Sequence, residues 1–396
     1  MTATWIGFAG ARAIGEEERR ALDLVLSRRT LYRGAGLVTP SEVRAGEREL
    51  AAALGRRFAL LMNSGTSALL AALTANGVGE GDEVILPGYG WLTVLSVVLH
   101  LRAVPVFAPI RDDLTIDAGR IADCLSSGTR AVVPVHVCGR PYDALGVAAI
   151  AEAKSIEVIE DACQGLGSRV RQVPAGRLAR VSVLSFQAFK VVTGGEGGAL
   201  LTDDADYYAS AVRFHDAGLL RFASDELASS GAPDTPAGIG LNLRMSELTA
   251  ALVRVQLRRL PALVQRLRAA RTALLEAVTE AIEARSLKAM ALEADAEESG
   301  AGLVLQAADA TVARHFRDVW ARHGCLARLA SEARLHALPG WLDYLRRLGV
   351  RHRAIDREGT EAVLARALII EVNWEQTNES LDQLRTATHE ALATLA

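Results

Sequence analysis

The sequence predicts an α/β protein: a large domain with a mostly parallel seven-stranded sheet sandwiched by helices, and a smaller C-terminal α/β domain. The length of 396 residues leaves room for two or three domains. Hydrophobic residues make up 50% of the chain and charged residues 23%, which is ordinary for a globular protein. Short apolar runs alternate with longer helical patterns through the first half, and this alternation predicts parallel strands covered on both faces.

Seven apolar runs are the predicted strands of the large sheet. They occupy residues 58–62, 82–86, 104–107, 131–137, 156–161, 181–186 and 198–202. Helical patterns over residues 67–75 and 144–154 separate some of these strands. Because sheets of this kind carry their active sites at the carboxyl ends of the strands, the residues that follow each strand are the candidates for function.

The second half of the chain shows a different pattern. A polar segment rich in turn formers, residues 219–241, predicts a loop that is either functional or disordered. Residues 245–285 predict one or two long helices with a kink or a break at Pro261. Strand and helix patterns return in the last hundred residues. We therefore assign residues 11–250 to the large domain and residues 251–396 to the small one.

Charge and composition argue against several classes of protein. The 44 basic and 47 acidic side chains leave a formal charge of −3, which gives no electrostatic footprint for nucleic acid. The N-terminus lacks a basic segment followed by an apolar core, and the apolar runs fall short of the roughly 20 residues that cross a bilayer. We expect a cytoplasmic protein without a membrane segment. The four scattered cysteines predict free thiols, and no His or Cys spacing suggests a metal site.

The segment Asn63-Ser-Gly-Thr-Ser67 stands between a predicted strand and a predicted helix. Gly65 allows a turn without a Cβ, and Thr66 and Ser67 place hydroxyls beside the free N–H groups of the helix start. Such an arrangement can bind a phosphate through the helix dipole and the unpaired N–H groups. A helix N-cap with a glycine turn explains the same residues, so both interpretations stay open on this segment alone.

Two further candidates follow other strands. Asp161 ends an apolar strand, and an acid there is costly unless a cation, a cap or a salt bridge answers its charge. Lys190 follows the strand over residues 181–186 and precedes a glycine-dense turn. An apolar neighbourhood would make its amine a nucleophile, whereas a solvated tip would make it an ordinary surface lysine. The glycines are not a dinucleotide fingerprint, because a strand pattern follows them.

Together the three features match the requirements of a pyridoxal 5'-phosphate site. Lys190 can bond covalently to the cofactor, Asp161 can pair with the pyridine nitrogen, and the helix start at Gly65 can hold the phosphate. An aromatic ring that stacks on the pyridine is also expected. Trp91, which follows the second strand, supplies one.

Six motifs, in this order, carry a resemblance that covers residues 40 to 260. They are Asn63-Ser-Gly-Thr-Ser-Ala-Leu69, Gly81-Asp-Glu-Val-Ile-Leu-Pro87, Pro134-Val-His-Val-Cys-Gly139, Glu160-Asp-Ala-Cys-Gln164, Ser185 through Gly198, and Gly240-Leu-Asn-Leu-Arg-Met-Ser-Glu247. The chain resembles the DegT/StrS-type aminotransferases. These enzymes are a branch of the fold-type-I pyridoxal phosphate enzymes that acts on keto-sugars and keto-cyclitols.

The resemblance implies roles for the residues around the cofactor ring. It makes Lys190 the catalytic Schiff-base lysine and places Asp161 against the pyridine nitrogen. It places Gln164 near the ring hydroxyl. Trp91 would stack on the ring, with Tyr89 as the alternative.

The resemblance also implies a phosphate site and a partner. Gly65, Thr66 and Ser185 would hold the phosphate of their own subunit. Asn242 would reach the phosphate of the neighbouring subunit, so the resemblance implies a homodimer with two shared sites.

The function that the resemblance implies is transfer of an amino group. Glutamate or glutamine would be the donor and a keto-sugar or keto-cyclitol the acceptor, in secondary-metabolite biosynthesis. Lys190 supports transamination, because some relatives carry histidine there and dehydrate sugars instead. Gln187, with Phe186 before it, is similar to the cyclitol aminotransferases.

Two departures from the family pattern motivate alternatives. Leu166 stands where the family usually has histidine, and the last third hardly matches, with residues 335–341 as the candidate for a histidine-containing substrate segment. The alternatives are a pyridoxal phosphate enzyme that performs elimination, oxidation or condensation, and a non-catalytic sensor that retains the fold.

Other polar residues have simpler interpretations. His136 lies within an apolar strand and is predicted to be a hydrogen-bonded core histidine. His215 and Asp216 are adjacent and point in different directions, which argues against a catalytic dyad. The arginines of residues 257–275 predict a solvated face, a dimer rim or a contact to a sugar-nucleotide pyrophosphate.

Overall fold

The computed structural model describes residues 9–33, 40–220 and 236–395, and its largest element is an eight-stranded sheet. The strands of the described chain are β1 (Phe58–Met62), β2 (Glu83–Pro87), β3 (Val104–Ala108), β4 (Thr129–Val132), β5 (Glu157–Asp161), β6 (Arg169–Val170), β7 (Val173–Pro174), β8 (Val181–Ser185), β9 (Gly198–Thr202), β10 (Leu287–Ala289), β11 (Ala296–Glu297), β12 (Gly302–Ala307), β13 (Arg328–Leu329), β14 (Arg353–Ala354) and β15 (Ala367–Glu371).

The large sheet has the strand order β1-β9-β8-β5-β4-β2-β3-β14. Its neighbouring strands are parallel except at β9, which runs antiparallel to β1 and to β8. The predicted α/β class with a mostly parallel sheet is confirmed, and the seven predicted strands are seven of these eight. The strand predicted over residues 131–137 is shorter than expected. It ends at Val132 because Pro134 has no N–H to continue the ladder.

Helices cover both faces of the large sheet. The α-helices of the described chain are α1 (Ala9–Arg12), α2 (Glu16–Arg28), α3 (Glu42–Leu54), α4 (Gly65–Ala75), α5 (Thr93–His100), α6 (Ile121–Cys124), α7 (Ala144–Lys154), α8 (Ala205–His215), α9 (Glu247–Arg258), α10 (Leu260–Ala277), α11 (Thr279–Glu283), α12 (Ala310–Arg322), α13 (Leu338–Leu348), α14 (Arg357–Arg366) and α15 (Asn378–Ala393).

Strand β1 shows how the sandwich is built. Leu60 and its neighbours two residues away pack with α4 and α8, whereas Leu61 packs with α3 and α9 on the opposite face. Successive strand residues point to opposite faces, so a strand that is apolar throughout needs a helical layer on each side. All five residues of β1 are buried, as this arrangement requires.

The second half contains a smaller, antiparallel sheet of order β10-β12-β15-β13. Helices α10, α12 and α15 pack against it, and the fully buried Trp320 lies in that core. The predicted break at Pro261 is confirmed: α9 ends at Arg258, and Pro261 stands in the first turn of α10, where its missing N–H is tolerated.

Part of the C-terminal third belongs to the larger core. Strand β14 pairs with β3 at the edge of the large sheet. Helix α13 places Trp341 and Leu345 in the cluster that also contains α4 and α5. The domain boundary at residue 250 stays a prediction. Of the predicted loop over residues 219–241, residues 221–235 lie outside the described residues, and residues 236–241 contain no helix or strand.

Among the residues that the structure describes, every helix is too short or too polar to span a lipid bilayer. All four cysteines are free thiols, as predicted.

Candidate active site

A cavity of about 540 Å³ lies at the edge of the large sheet where β5 and β8 end, and the smaller sheet closes its other side. Seven of the eight residues that the sequence predicts for the site line this cavity. They are Gly65, Thr66, Trp91, Asp161, Gln164, Ser185 and Lys190.

The start of helix α4 forms one wall of the cavity. Ser64 caps the helix, since its Oγ accepts a hydrogen bond from the Ser67 N–H at 3.0 Å. A Cβ added at Gly65 would lie 3.0 Å from the Cβ of Ser185, so a glycine is needed for this close approach. The Ser67 hydroxyl, which the sequence grouped with Thr66, donates instead to Asn63 Oδ1 at 2.6 Å.

The glycine-dense segment after Lys190 passes directly beside that helix start. A Cβ added at Gly198, the first residue of β9, would lie 2.4 Å from the Gly65 nitrogen. The two glycines therefore let the strand and the helix meet backbone to backbone. The structure bears out the N-cap interpretation of this segment, and the same helix start lines the cavity.

The two acids that end β5 have different surroundings. Asp161 lines the cavity and is only 5% exposed, and its Oδ1 accepts a hydrogen bond from the Cys163 N–H at 3.0 Å. Glu160 points the other way into the core. It accepts hydrogen bonds from Ser182 Oγ at 2.6 Å and from the backbone N–H groups of residues 176 and 178. The alternation of strand residues thus sends one acid to the site and the other to the core.

The predicted core role of His136 is confirmed. Its Nε2 lies 2.8 Å from Glu160 Oε1, and both side chains are fully buried. Burial alone would raise the pKa of Glu160, but the contact with His136 and the hydrogen bond from Ser182 together lower it. Glu160 therefore stays ionised as a structural anchor directly behind Asp161.

The loop that carries Lys190 is held at several points. The Lys190 N–H donates to the Gln187 carbonyl at 2.9 Å, and its own carbonyl accepts from the Gly10 N–H at 2.9 Å. Ser185 Oγ accepts from the Gln187 N–H at 3.3 Å, and Gln187 Oε1 accepts from the Phe189 N–H at 2.9 Å. The half-buried Lys190 side chain is thereby aimed into the cavity by a fixed backbone.

A hydrogen bond to the backbone across the site orients the Gln164 side chain. Its Oε1 accepts from the Cys138 N–H at 3.0 Å. An amide has one oxygen and one NH₂ group, so this contact leaves Nε2 as the group that can donate to a ligand oxygen.

Two aromatic residues follow β2, and the structure separates them. Trp91 lines the cavity and is 46% exposed, with its ring centroid 4.9 Å from that of His336. Tyr89 is 2% exposed and stacks on the back of His336 at a centroid distance of 5.8 Å. Trp91, and not Tyr89, therefore faces any ligand in this cavity.

His336 comes from the segment 335–341, which the sequence left as only a candidate. Its side chain lines the cavity, and its carbonyl accepts from the Gly90 N–H at 2.8 Å. Burial, with the nearby charges of Arg328 and Lys190, lowers the pKa of His336 to about 4. The imidazole is neutral at physiological pH.

Two charged residues of the cavity wall lie outside the motifs that the sequence analysis singled out: Arg328 and Glu371. Arg328 begins β13 and Glu371 ends β15, both in the smaller sheet. An Arg328 nitrogen lies 3.6 Å from a Glu371 carboxylate oxygen. The rule that examines strand ends could have found Glu371, because residues 368–372 form a short, mostly apolar run of the kind that predicts a strand. Arg328 carries no local signal.

The structure places the other candidates outside the cavity. Asn242 is exposed and pairs through its backbone with residue 216. His215 and Asp216 are fully buried, and Asp216 forms an ion pair with Arg244. The described part of the chain contains no group of three His, Cys, Asp or Glu side chains placed to hold a metal ion.

The five arginines of residues 257–275 have partners within the chain. Four of them pair with acids and one stacks on an aromatic ring: Arg258 with Glu49, Arg259 with Glu18, Arg268 with Glu297, Arg271 with Glu298, and Arg266 over Trp374. These partners favour an ion-paired surface over a pyrophosphate contact, and the dimer rim stays a prediction.

Comparison with known proteins identifies the family. The family model described as the DegT/DnrJ/EryC1/StrS aminotransferase family matches residues 13–341. The chain belongs to this family. The family's model thus extends well beyond the motifs of the first half, and it includes the segment that carries His336.

One curated relative and two solved structures illustrate the relationship. The L-glutamine:2-deoxy-scyllo-inosose aminotransferase of Streptomyces fradiae is 37% identical over 230 residues, which is 57% of this chain and 53% of the relative. The chain thus matches about half the length of this relative.

The solved structures share the fold over almost the whole chain. An aminotransferase from Psychrobacter cryohalolentis has a TM-score of 0.85 and 24% identity, covering 96% of this chain and 98% of the other. The GDP-4-keto-6-deoxy-D-mannose-3-dehydratase of E. coli has a TM-score of 0.80 and 20% identity, covering 95% and 97%. The predicted fold type is confirmed by this similarity.

Proposed function

We propose that the protein is a pyridoxal 5'-phosphate-dependent aminotransferase that moves an amino group from glutamine or glutamate to a keto-cyclitol or keto-sugar in secondary metabolism. One observation carries the proposal. A lysine, a buried strand-end acid, an aromatic ring and a glycine cradle at a helix start, from separate parts of the sequence, line a single cavity of about 540 Å³.

The cavity offers a phosphate site at the N-terminus of α4. Gly65 and Thr66 of this helix start line the cavity, and unpaired N–H groups and the helix dipole favour a phosphate there. We assign the phosphate to this site, with Thr66 and Ser185 as hydroxyl donors. Pyridoxal phosphate, when bound, supplies an electron sink for negative charge at the substrate carbon.

The chain's own residues would hold the ring of the cofactor. Asp161 is a nearly buried carboxylate, and such a group is stabilised by a cation opposite it. We assign it to the pyridine nitrogen, where it keeps the proton. Trp91 would stack on the ring face, and Gln164 Nε2 would donate to the ring hydroxyl.

Lys190 has two assigned tasks. Its Nζ would bond covalently to the cofactor in the resting enzyme, and its free amine would then carry the proton away from the substrate carbon and return it to the cofactor carbon. Lysine can perform both tasks because it has a nucleophilic amine and a flexible stem that reaches the cavity.

The curated relative supports the proposed substrates, and the position of Asn242 supports the proposed dimer. The Streptomyces fradiae relative is named for glutamine and a keto-cyclitol, and we extend both to this chain. Asn242 is exposed and lies outside its own cavity, which fits a residue that serves a neighbouring subunit. We therefore propose a homodimer in which Asn242 contacts the partner's phosphate.

A visible spectrum tests the proposal first. The purified protein with added pyridoxal phosphate should be yellow, and L-glutamine or L-glutamate should convert the cofactor to its aminated, near-ultraviolet form. Borohydride treatment of the yellow protein should fix the cofactor to Lys190. The chain has only three lysines, and Lys154 and Lys288 serve as internal controls in the peptide map.

Two other outcomes identify the competing functions. A yellow protein that no amino donor changes would favour elimination, oxidation or condensation chemistry. The shared fold of the dehydratase shows that this scaffold is not restricted to transamination. A protein that binds no chromophore would favour the sensor hypothesis.

A further inference from the structure

The wall of the cavity opposite the large sheet carries an ion pair with a loose geometry. Arg328 and Glu371 lie on the adjacent antiparallel strands β13 and β15, where Arg328 is in register with Ile369. Glu371 is two residues beyond Ile369, so both side chains share one face of the sheet. The nitrogen–oxygen distance of 3.6 Å exceeds the 2.7–2.9 Å of a good charge-assisted hydrogen bond. The direct contact between the two charges is therefore weaker than a close ion pair, and a polar ligand can compete with it.

Both charged side chains line the cavity that also contains Lys190. Burial raises the pKa of the Cys138 thiol on the same wall to about 11, against the opposing charges of Arg328 and Lys190. The side chains of Arg328 and Glu371 are 37% and 39% exposed, and both line the cavity.

The proposed function requires that one cavity accept two unlike substrates in turn. The amino donor brings a carboxylate, whereas the acceptor is an uncharged ring with several hydroxyls. An arginine alone would suit the donor, and a glutamate alone would suit the hydroxyls but repel the donor's carboxylate. A weakly paired arginine and glutamate can serve both substrates. The carboxylate of the donor can take the place of Glu371 beside Arg328, and the hydroxyls of the acceptor can take the place of Arg328 beside Glu371.

We propose that Arg328 binds the carboxylate of the amino donor and that Glu371 accepts hydrogen bonds from the hydroxyls of an uncharged polyol acceptor. This inference rests on the proposed function and assigns the substrate contacts within it. It makes the two residues specificity determinants of successive steps. They act on binding and not on the proton transfers at Lys190.

Calorimetry with unreactive probes tests the assignment in the cofactor-loaded protein. Glutarate represents the carboxylates of the donor, and myo-inositol represents the hydroxyls of the acceptor. Arg328→Gln should weaken glutarate binding by about 10-fold or more and change myo-inositol binding less, since a charge-assisted hydrogen bond to the carboxylate is lost. Glu371→Gln should weaken myo-inositol binding by about 10-fold and leave glutarate binding unchanged or tighter.

A matched control comes from an exposed ion pair outside the cavity, between Arg317 and Glu332 at 2.5 Å. Glu332→Gln should change neither probe. The inference is overturned if the wild type binds neither probe, or if Arg328→Gln and Glu371→Gln weaken both probes equally. Failure of the proposed function would differ, because the wild type would bind both probes selectively and still transfer no amino group.

Discussion

The two walls of the cavity were built in different ways. The wall from the large sheet consists of short contiguous motifs, each of which joins a strand end to the next turn or helix, as at Gly65, Asp161 and Lys190. The wall from the C-terminal third takes single residues from separate elements, such as Arg328 and Glu371. The first wall matches the needs of a cofactor that stays in place, and the second matches substrates that come and go.

This difference leads to a general expectation. Changes in the sheet wall should impair the reaction with every substrate, because each turnover uses the cofactor. Changes in the opposite wall should distinguish one substrate from another. The following experiments test whether the two walls divide the work in this way.

Removal of the lysine amine should have the largest effect. Lys190→Ala should reduce amino transfer by about 10⁴-fold or more for all substrates, since both the covalent link and the proton carrier are lost. Single-turnover spectra with glutamine would measure this. Lys154→Ala, at an exposed site on α7, is the control and should behave as wild type. Full activity of Lys190→Ala would place the site elsewhere.

Removal of the Asp161 charge should have the second largest effect on the rate. Asp161→Asn keeps the shape and removes the charge, so we expect a rate loss on the order of 10²-fold in both the donor and the acceptor step. Rapid-mixing spectroscopy would measure the two steps separately. Glu157→Gln, at the far end of the same strand, should leave both unchanged. A loss confined to one step would contradict the division between the walls.

The glycine cradle should show a smaller effect that is limited to the cofactor. Gly65→Ala forces a methyl group to within 3.0 Å of Ser185 and Cys163, so we expect cofactor affinity to fall by about 10-fold. Equilibrium dialysis would measure it. Gly79→Ala is matched, because a Cβ there meets nothing within 4 Å. Unchanged affinity in the Gly65 variant would remove the phosphate from this cradle.

The smallest expected effect is a pH-dependent change in the free energy of unfolding, caused by His336. Because folding lowers the pKa of His336 to about 4, the unfolded chain binds the extra proton between pH 6.5 and 4. The neutral His336 therefore contributes stability above pH 6.5 that is lost as the pH falls. Relative to His336→Asn, the wild type should lose about 2 kcal/mol between pH 7 and pH 5. Urea denaturation at both values would measure this difference, and a constant difference would refute it.

The same division explains how much could be predicted from the sequence. The strands and the residues of the sheet wall could be found because period, glycine and strand-end rules act over a few neighbouring residues. Gln164 and Ser185 came from the family resemblance and also line the cavity. Ser67 was grouped with the cradle, but its hydroxyl turned to Asn63, a choice that depends on rotamers.

The residues of the opposite wall could not be derived locally. Arg328 reaches the cavity only because β13 pairs with β15 and that sheet lies against the large domain. Arginines are common in this chain, and nothing in the neighbouring residues distinguishes Arg328 from those that form ion pairs on the surface. Tertiary packing decides that Arg328 lines the cavity, and it also decides that Trp91 does so while Tyr89 is buried.

The pairing of β14 with β3 has a consequence for synthesis on the ribosome. Strand β3 is complete at residue 108, but its edge stays open until residues 353 and 354 have emerged. At the usual 5–20 residues per second, the nascent chain carries that open edge for roughly 10–50 s. The surface that Trp341 later covers is bare for almost as long. We therefore expect the nascent chain to need chaperones until the C-terminal quarter of the chain has been synthesised.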